Sequence, residues 1–207
     1  MTSFALLIVD MQRDFVCAEP GCKFFDRDAD NVALMPAVVL SVRHLLDGWR
    51  ATNFGVRVFV QSHYAFKQFR QYPELCLAGS RGAELVFAPI AGSDSEFVFT
   101  KHVHDAFATG ALAAELTRRG VTRVFICGVT TNHCVQATAV GCVKSGFETV
   151  VVADAIGTTF KMRASNVRFI MAPPQVWVCV CRVCVCFYVW FRKDVRRIGA
   201  GRSHLLL

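Results

Sequence analysis

Val124-Phe125-Ile126-Cys127-Gly128-Val129-Thr130-Thr131-Asn132-His133-Cys134-Val135-Gln136-Ala137-Thr138 is the stretch on which the reading of this chain turns. It opens as an apolar, β-branched run with the pattern of a fully buried strand. It breaks at Gly128 into a polar turn, then resumes from Cys134 as a small-residue helix. A strand feeding a helix through a tight turn puts the turn on the carboxyl edge of a parallel sheet, where open α/β folds bind ligands. Cys134 falls on the first helical turn, where unpaired N–H groups and the helix dipole favour an anion. A thiol so placed can drop from about 8.5 to roughly 3.5–7.5. Two readings of Cys134 follow, a nucleophile or one more small buried hydrophobe.

Outward from this stretch the same alternation repeats. Phe4-Ala5-Leu6-Leu7-Ile8-Val9 is a short apolar run ending in Asp10. Apolar residues recur at helical spacing from Asn31 to about Asn53, and Val56 to Val60 is a second strand ending in Gln61-Ser62-His63. Residues 64–95 lack a long regular pattern and read as a binding lid. Phe97-Val98-Phe99 leads to Lys101, Asp105 to Arg119 is a helix closed by Gly120, and Thr149 to Val152 is a fifth strand ending in Asp154. Strands alternating with helices predict a single three-layer, doubly wound α/β domain on a parallel sheet of five to six strands, the final strand and helix being aberrant. Right-handed crossovers carry the strand ends to one edge. An acid (Asp10), an amine (Lys101) and a thiol (Cys134) then meet in one cleft.

That set suits acyl transfer. Asp10 can take the thiol proton and later act on water, Lys101 can pair with Asp10 and favour the thiolate, and N–H groups at Thr130 and Cys134 can receive an oxyanion. His104 and His133 have two readings each, a place facing the cleft or an ordinary surface or core histidine, and the second is preferred.

Three ordered motifs carry a resemblance: Leu7-Ile8-Val9-Asp10-Met11-Gln12-Arg13-Asp14-Phe15; Thr100-Lys101 with Ala106-Phe107, Thr109 and Leu112; and Gly128 to Val135, with Asp154-Ala155 after them. The chain resembles the isochorismatase-like cysteine hydrolases, the superfamily that includes nicotinamidase, N-carbamoylsarcosine amidase and ureidoacrylate amidohydrolase. The resemblance implies a catalytic triad of Asp10, Lys101 and Cys134, with Val129–Thr130 as a cis non-proline peptide aiming the oxyanion donors. It implies a substrate pocket lined by Gln12 and Phe15, to which His63 and Tyr64 are added at the end of the second strand. The nicotinamidase branch holds a divalent ion with an Asp-x-His pair and a later histidine. Here the equivalent stretch is Gln61-Ser62-His63, so no metal and no cofactor are expected. The implied reaction is hydrolysis of a C–N bond in a small carboxamide or ureide through a cysteine thioester. Alternatives from the same resemblance are a non-catalytic binding protein and an isochorismate-type vinyl-ether hydrolase. A homo-oligomer is expected.

Composition sets the remaining bounds. The 207 residues carry a net charge of +7, but residues 161–207 hold nine Lys/Arg against one acid, and residues 1–160 hold fourteen against fifteen. The body is therefore near neutral, and the basic balance is no argument for nucleic acid. No secretory pattern opens the chain, and six of the ten cysteines are scattered through the body, as reduced thiols are in a cytoplasmic enzyme. The domain is placed at 1–160, with 161–207 as an atypical Cys/Val-rich basic tail. Its alternation Val176-Trp177-Val178-Cys179-Val180-Cys181-Arg182-Val183-Cys184-Val185-Cys186 reads first as a frameshift or read-through product. The rivals are metal–thiolate binding, an authentic sixth strand, and a membrane anchor. Against the anchor, Val176 to Phe191 is shorter than the roughly 20 residues a spanning helix needs, and it has a central arginine.

Overall fold

The computed structural model describes residues 3–17, 29–157 and 176–179. Strand β1 (Ser3–Val9) is apolar along its length because both of its faces are covered. Leu6 and Ile8 enter one core, while Ala5, Leu7 and Val9 enter the other. Strands β2 (Val56–Ser62) and β4 (Val121–Val129) divide in the same way: Phe59, Cys127 and Val129 face the first core, and Val58, Val60, Val124 and Ile126 the second. After the single turn α1 (Arg13–Val16), helix α2 (Ala29–Thr52) supplies Met35, Val38, Val42, Leu46 and Trp49 at helical spacing to the first core. Helices α3 (Ala111–Arg118) and α4 (Gln136–Lys144) supply Leu112, Leu116, Ala139 and Cys142 to the second. The result is the expected three-layer α/β sandwich. Pro36 lies inside α2, a position costing about 3 kcal/mol in a helix interior. Burying a large apolar side chain returns about 1.5–3 kcal/mol each, so packing of one face outweighs the proline.

The sheet is parallel throughout, in the order β3-β2-β1-β4-β5-β6. Strand β3 is Glu96–Lys101, β5 is Glu148–Gly157 and β6 is Val176–Cys179. The order reverses between β1 and β4, and the carboxyl ends of those two strands open the crevice where such sheets take ligands. Gly128, near the end of β4, has φ of 110°, and a Cβ there would collide with the Val9 carbonyl oxygen. This is the backbone contact that lets β4 lie against β1 at that edge.

Several boundaries differ from the sequence expectation. Helix α3 begins at Ala111, not Asp105, because the Asp105 carboxylate accepts the Phe107 N–H at 2.8 Å and competes with the helical bond, and Gly110 takes a left-handed φ of 74°. The helix after β4 begins upstream of Cys134, as a single π-helical turn over Thr131–Val135 that runs into α4. Strand β5 does not end at Asp154. Ile126 pairs with Val151 and Gly128 with Ile156, so Asp154 sits in a bulge and the strand continues to Gly157. The stretch 64–95 is not a free lid: Val86 N–H donates to the Met11 carbonyl, Arg13 N–H to that of Glu84, and Cys76 N–H to the Asp14 carboxylate.

Within the stretch set apart as a tail, Val176–Cys179 form β6, in register with Thr149–Val152 of β5. Residues 158–175 and 180–207, on which the remaining readings of the tail fall, lie outside the described residues. No helix among the described residues is long and apolar enough to cross a membrane.

Candidate active site

Strand order sets the site. Across the carboxyl edge lie Lys101 at the end of β3, Ser62 at the end of β2, Asp10 just after β1, and Cys134 in the π turn after β4. Asp10 takes a left-handed φ of 50°, unusual for a residue with a side chain. Its backbone N–H still donates to the Val60 carbonyl at 2.9 Å, while its own carbonyl accepts from Gln12 N–H at 2.7 Å. The chain thus turns sharply at the sheet edge.

The side chains form one buried cluster. Lys101 Nζ lies 2.9 Å from Asp10 Oδ2 and donates to Ser62 Oγ at 2.7 Å, Cys134 Sγ at 3.2 Å and the Val103 carbonyl at 3.2 Å. The Ser62 hydroxyl donates to Asp10 Oδ1 at 2.9 Å and lies 2.9 Å from the Tyr64 hydroxyl. Tyr64 in turn lies 3.5 Å from Cys134 Sγ, and His104 Nδ1 3.4 Å from it. Asp10, Ser62, Lys101 and Cys134 are each no more than 3% exposed. Buried charges without partners are expensive. Here one cation and one anion neutralise each other, and the Ser62 hydroxyl bridges the two.

These contacts govern protonation. Burial opposes the Lys101 ammonium, yet Asp10 and then Cys134 hold it above its ordinary value. Tyr64 is raised well above its usual range by burial and then by Asp10. The Cys134 thiol is pushed up to about 12 by burial first and Asp10 second, with Lys101 pulling the other way. The lowered thiol expected from a helix start is therefore not what the fold produces, because desolvation outweighs the dipole and the ammonium. Burial likewise raises Cys76, Cys127 and Cys142. What sets Cys134 apart is its ring of proton-carrying neighbours, not its acidity. Cys17, Cys76, Cys127, Cys134 and Cys142 are free thiols.

The other sequence candidates fall in distinct places. Val129–Thr130 is a cis peptide at the carboxyl end of β4. Gln12 is fully buried, with its amide donating to the Ser62 and Ala83 carbonyls and accepting from Ser62 N–H. It brackets β2 to the loop behind the cluster. Phe15 packs into the first core. The His63 backbone joins the strand ends, donating to the Lys101 carbonyl at 2.9 Å, with the His102 ring 2.7 Å from its own carbonyl. Ser62 and His104 join the cluster without having been given a role by the sequence reading. The convergence of strand ends already pointed at Ser62. For His104 a place facing the cleft was the lesser of two readings, and the residue is half-buried with its ring beside the thiol.

The donors around His63 fit a divalent ion poorly. Gln61 is neutral, and its amide is engaged with Thr100 Oγ1 at 2.8 Å. Among the described residues no group of three or more His, Cys, Asp or Glu is arranged to hold an ion. His63 with His102 nearby, lacking a carboxylate, does not make a divalent site.

Comparison with known proteins places the chain. The family profile described as "Isochorismatase domain" matches residues 4–179. An uncharacterised isochorismatase family protein, YddQ of Bacillus subtilis, is 26% identical over 155 residues, covering 75% of this chain and 78% of that one. Ureidoacrylate amidohydrolase RutB of Stutzerimonas stutzeri is 26% identical over 177 residues, covering 73% and 68%. The crystal structure of an isochorismatase family protein from Desulfovibrio vulgaris superposes with a TM-score of 0.74 at 26% identity, covering 93% of this chain and all of that one. With the profile spanning every described strand and the fold matching, the chain belongs to the isochorismatase family of hydrolases.

Proposed function

We propose that this protein is a cysteine amidohydrolase, cleaving the C–N bond of a small carboxamide or ureide through a thioester on Cys134. The observation that carries the reading is the buried contact of Cys134 Sγ with Lys101 Nζ at 3.2 Å, the same ammonium being paired with Asp10 at 2.9 Å. Similarity to an amidohydrolase supports the substrate class. The resting thiol is protonated at neutral pH, so attack begins with transfer of its proton to Asp10. The thiolate adds to the carbonyl carbon, and the N–H groups of Thr130 and Cys134 receive the oxyanion. Asp10 returns the proton to the departing nitrogen, leaving the thioester and ammonia or an amine. Water, deprotonated by Asp10, then releases the carboxylic acid and restores the thiol. Lys101 keeps Asp10 and Sγ in register through both half-reactions. Tyr64, in contact with Cys134 Sγ, and His63 just after β2 border the substrate, while Gln12 and Phe15 support the site from behind. Free cysteines suit a reducing, cytoplasmic setting, and a homo-oligomer is part of the same reading.

The test is a panel of small carboxamides and ureides, followed by ammonia release and by acid-quenched mass spectrometry. An acyl adduct on the Cys134 peptide, with release abolished by Cys134→Ala, is the expected result. Turnover that survives Cys134→Ala would overturn the proposal.

A further inference from the structure

We propose that His104 is a second proton acceptor for the Cys134 thiol, a catalytic residue outside the Asp10–Lys101–Cys134 set. The inference rests on the nucleophile reading above and deepens it.

The geometry is direct, with His104 Nδ1 3.4 Å from Sγ. The ring is also held in place. It stacks on Phe69 (5.6 Å, 22°) and on His133 (5.5 Å, 27°), and Tyr64 meets it edge-on at 6.4 Å. The backbone is tied to the helix that carries the nucleophile: Thr138 Oγ1 donates to the His104 carbonyl at 3.4 Å and accepts from Ala106 N–H at 3.3 Å. Thr138 stands one turn beyond Cys134, so thiol and imidazole are positioned by the same element. One further turn-length on, a Cβ at Gly141 would collide with the Asp105 carboxylate, so glycine admits the His104 loop against α4.

Chemistry favours an acceptor here. A thiol pushed up to about 12 needs a base in contact with it. Asp10 is sealed in the cluster, whereas His104 is half-buried and links the thiol to solvent. The groups facing the imidazole are Lys101 from β3, His133 from the π turn, Asp10 after β1 and the Tyr64 hydroxyl. Burial, then Lys101, then His133 hold His104 below the usual histidine value, which leaves it neutral at pH 7. On this second route, which replaces the transfer to Asp10 in the acylation half-reaction and leaves Asp10 to act on water, the S–H bond breaks and its proton passes to the Nδ1 lone pair while Nε2 keeps its own. The thiolate balances the new imidazolium, which later returns the proton to the departing nitrogen. A direct acid–base partner of this kind contributes typically 10²–10⁴-fold.

The experiment is the pH dependence, from 5 to 8, of Cys134 alkylation by iodoacetamide on the full chain, resolved by peptide mass spectrometry. It needs no knowledge of the substrate. In the unsubstituted protein the rate should contain a component that falls with acid at a midpoint below 6.5. His104→Phe keeps the ring stack and should lose that component, slowing labelling about 10-fold or more at pH 7.5. His104→Gln should lose it too, which covers the case of a Phe variant that folds poorly. His133→Phe should keep the component and move its midpoint upward, since a depressing neighbour is gone. Superimposable profiles for wild type and either His104 variant would overturn the proposal and leave the nucleophile reading standing. Absence of Cys134 labelling in the unsubstituted protein would overturn both.

Discussion

Replacing Asp10 by asparagine while leaving Lys101 in place tests whether the cluster acts as one electrostatic unit. The carboxylate lies 2.9 Å from Nζ, and both groups are sealed from water. At that distance and an effective dielectric near 20, the pair interacts by about 6 kcal/mol before desolvation is counted. Asp10→Asn removes the anion, retains an oxygen for the Ser62 hydroxyl, and strands a buried ammonium. Breaking a buried pair from one side costs about 3–5 kcal/mol, a large share of the about 5–15 kcal/mol of a whole domain. Lys101→Met, close in volume, should cost a similar amount by stranding the carboxylate. The double variant buries no charge, so it should be no less stable than the worse single variant, with a coupling of at least about 2 kcal/mol. Urea unfolding of the four proteins measures this without any substrate. Strict additivity, with the double variant losing the sum of the two, would refute the idea of a mutually neutralised pair.

Two further outcomes are expected. Burial opposes ionisation of Glu96, but Arg50 and the Ile90 N–H, with Arg57 beside them, hold its carboxyl down to about 2 from an ordinary 4.5. A depressed carboxyl stabilises fully above its unfolded value, so this contribution, about 3 kcal/mol, should be intact above pH 4.5. It should be lost as pH falls through about 2, and Glu96→Gln should flatten the urea midpoint over that window. Hydrolytic activity should survive a strong chelator unchanged, because neutral Gln61 is engaged with Thr100 where a metal-binding carboxylate would be required. Loss on chelation, restored by a divalent ion, would contradict that donor argument.

The sequence by itself determined the layered architecture and the identity of the groups at the sheet edge. Apolar runs such as Phe4 to Val9 and Val124 to Ile126 state burial on both faces, which requires helices above and below. Each run ends in a residue with chemistry, which puts Asp10, Lys101 and Cys134 at a common edge once the crossovers share one hand. Only the tertiary structure decided what those groups do to one another. Strand order β3-β2-β1-β4 places Ser62 between Lys101 and Asp10, and no local pattern states which strands are neighbours. Desolvation of Cys134 depends on everything packed around it, and it reverses the acidity that a helix start alone suggests. His104 lies 30 residues before Cys134 in a stretch that reads as a helix start, and it meets the thiol only because Asp105 and Gly110 delay α3 and Thr138 draws the loop onto α4. Local pattern reports whether a side chain is buried, but the company it keeps there is a property of the assembled sheet.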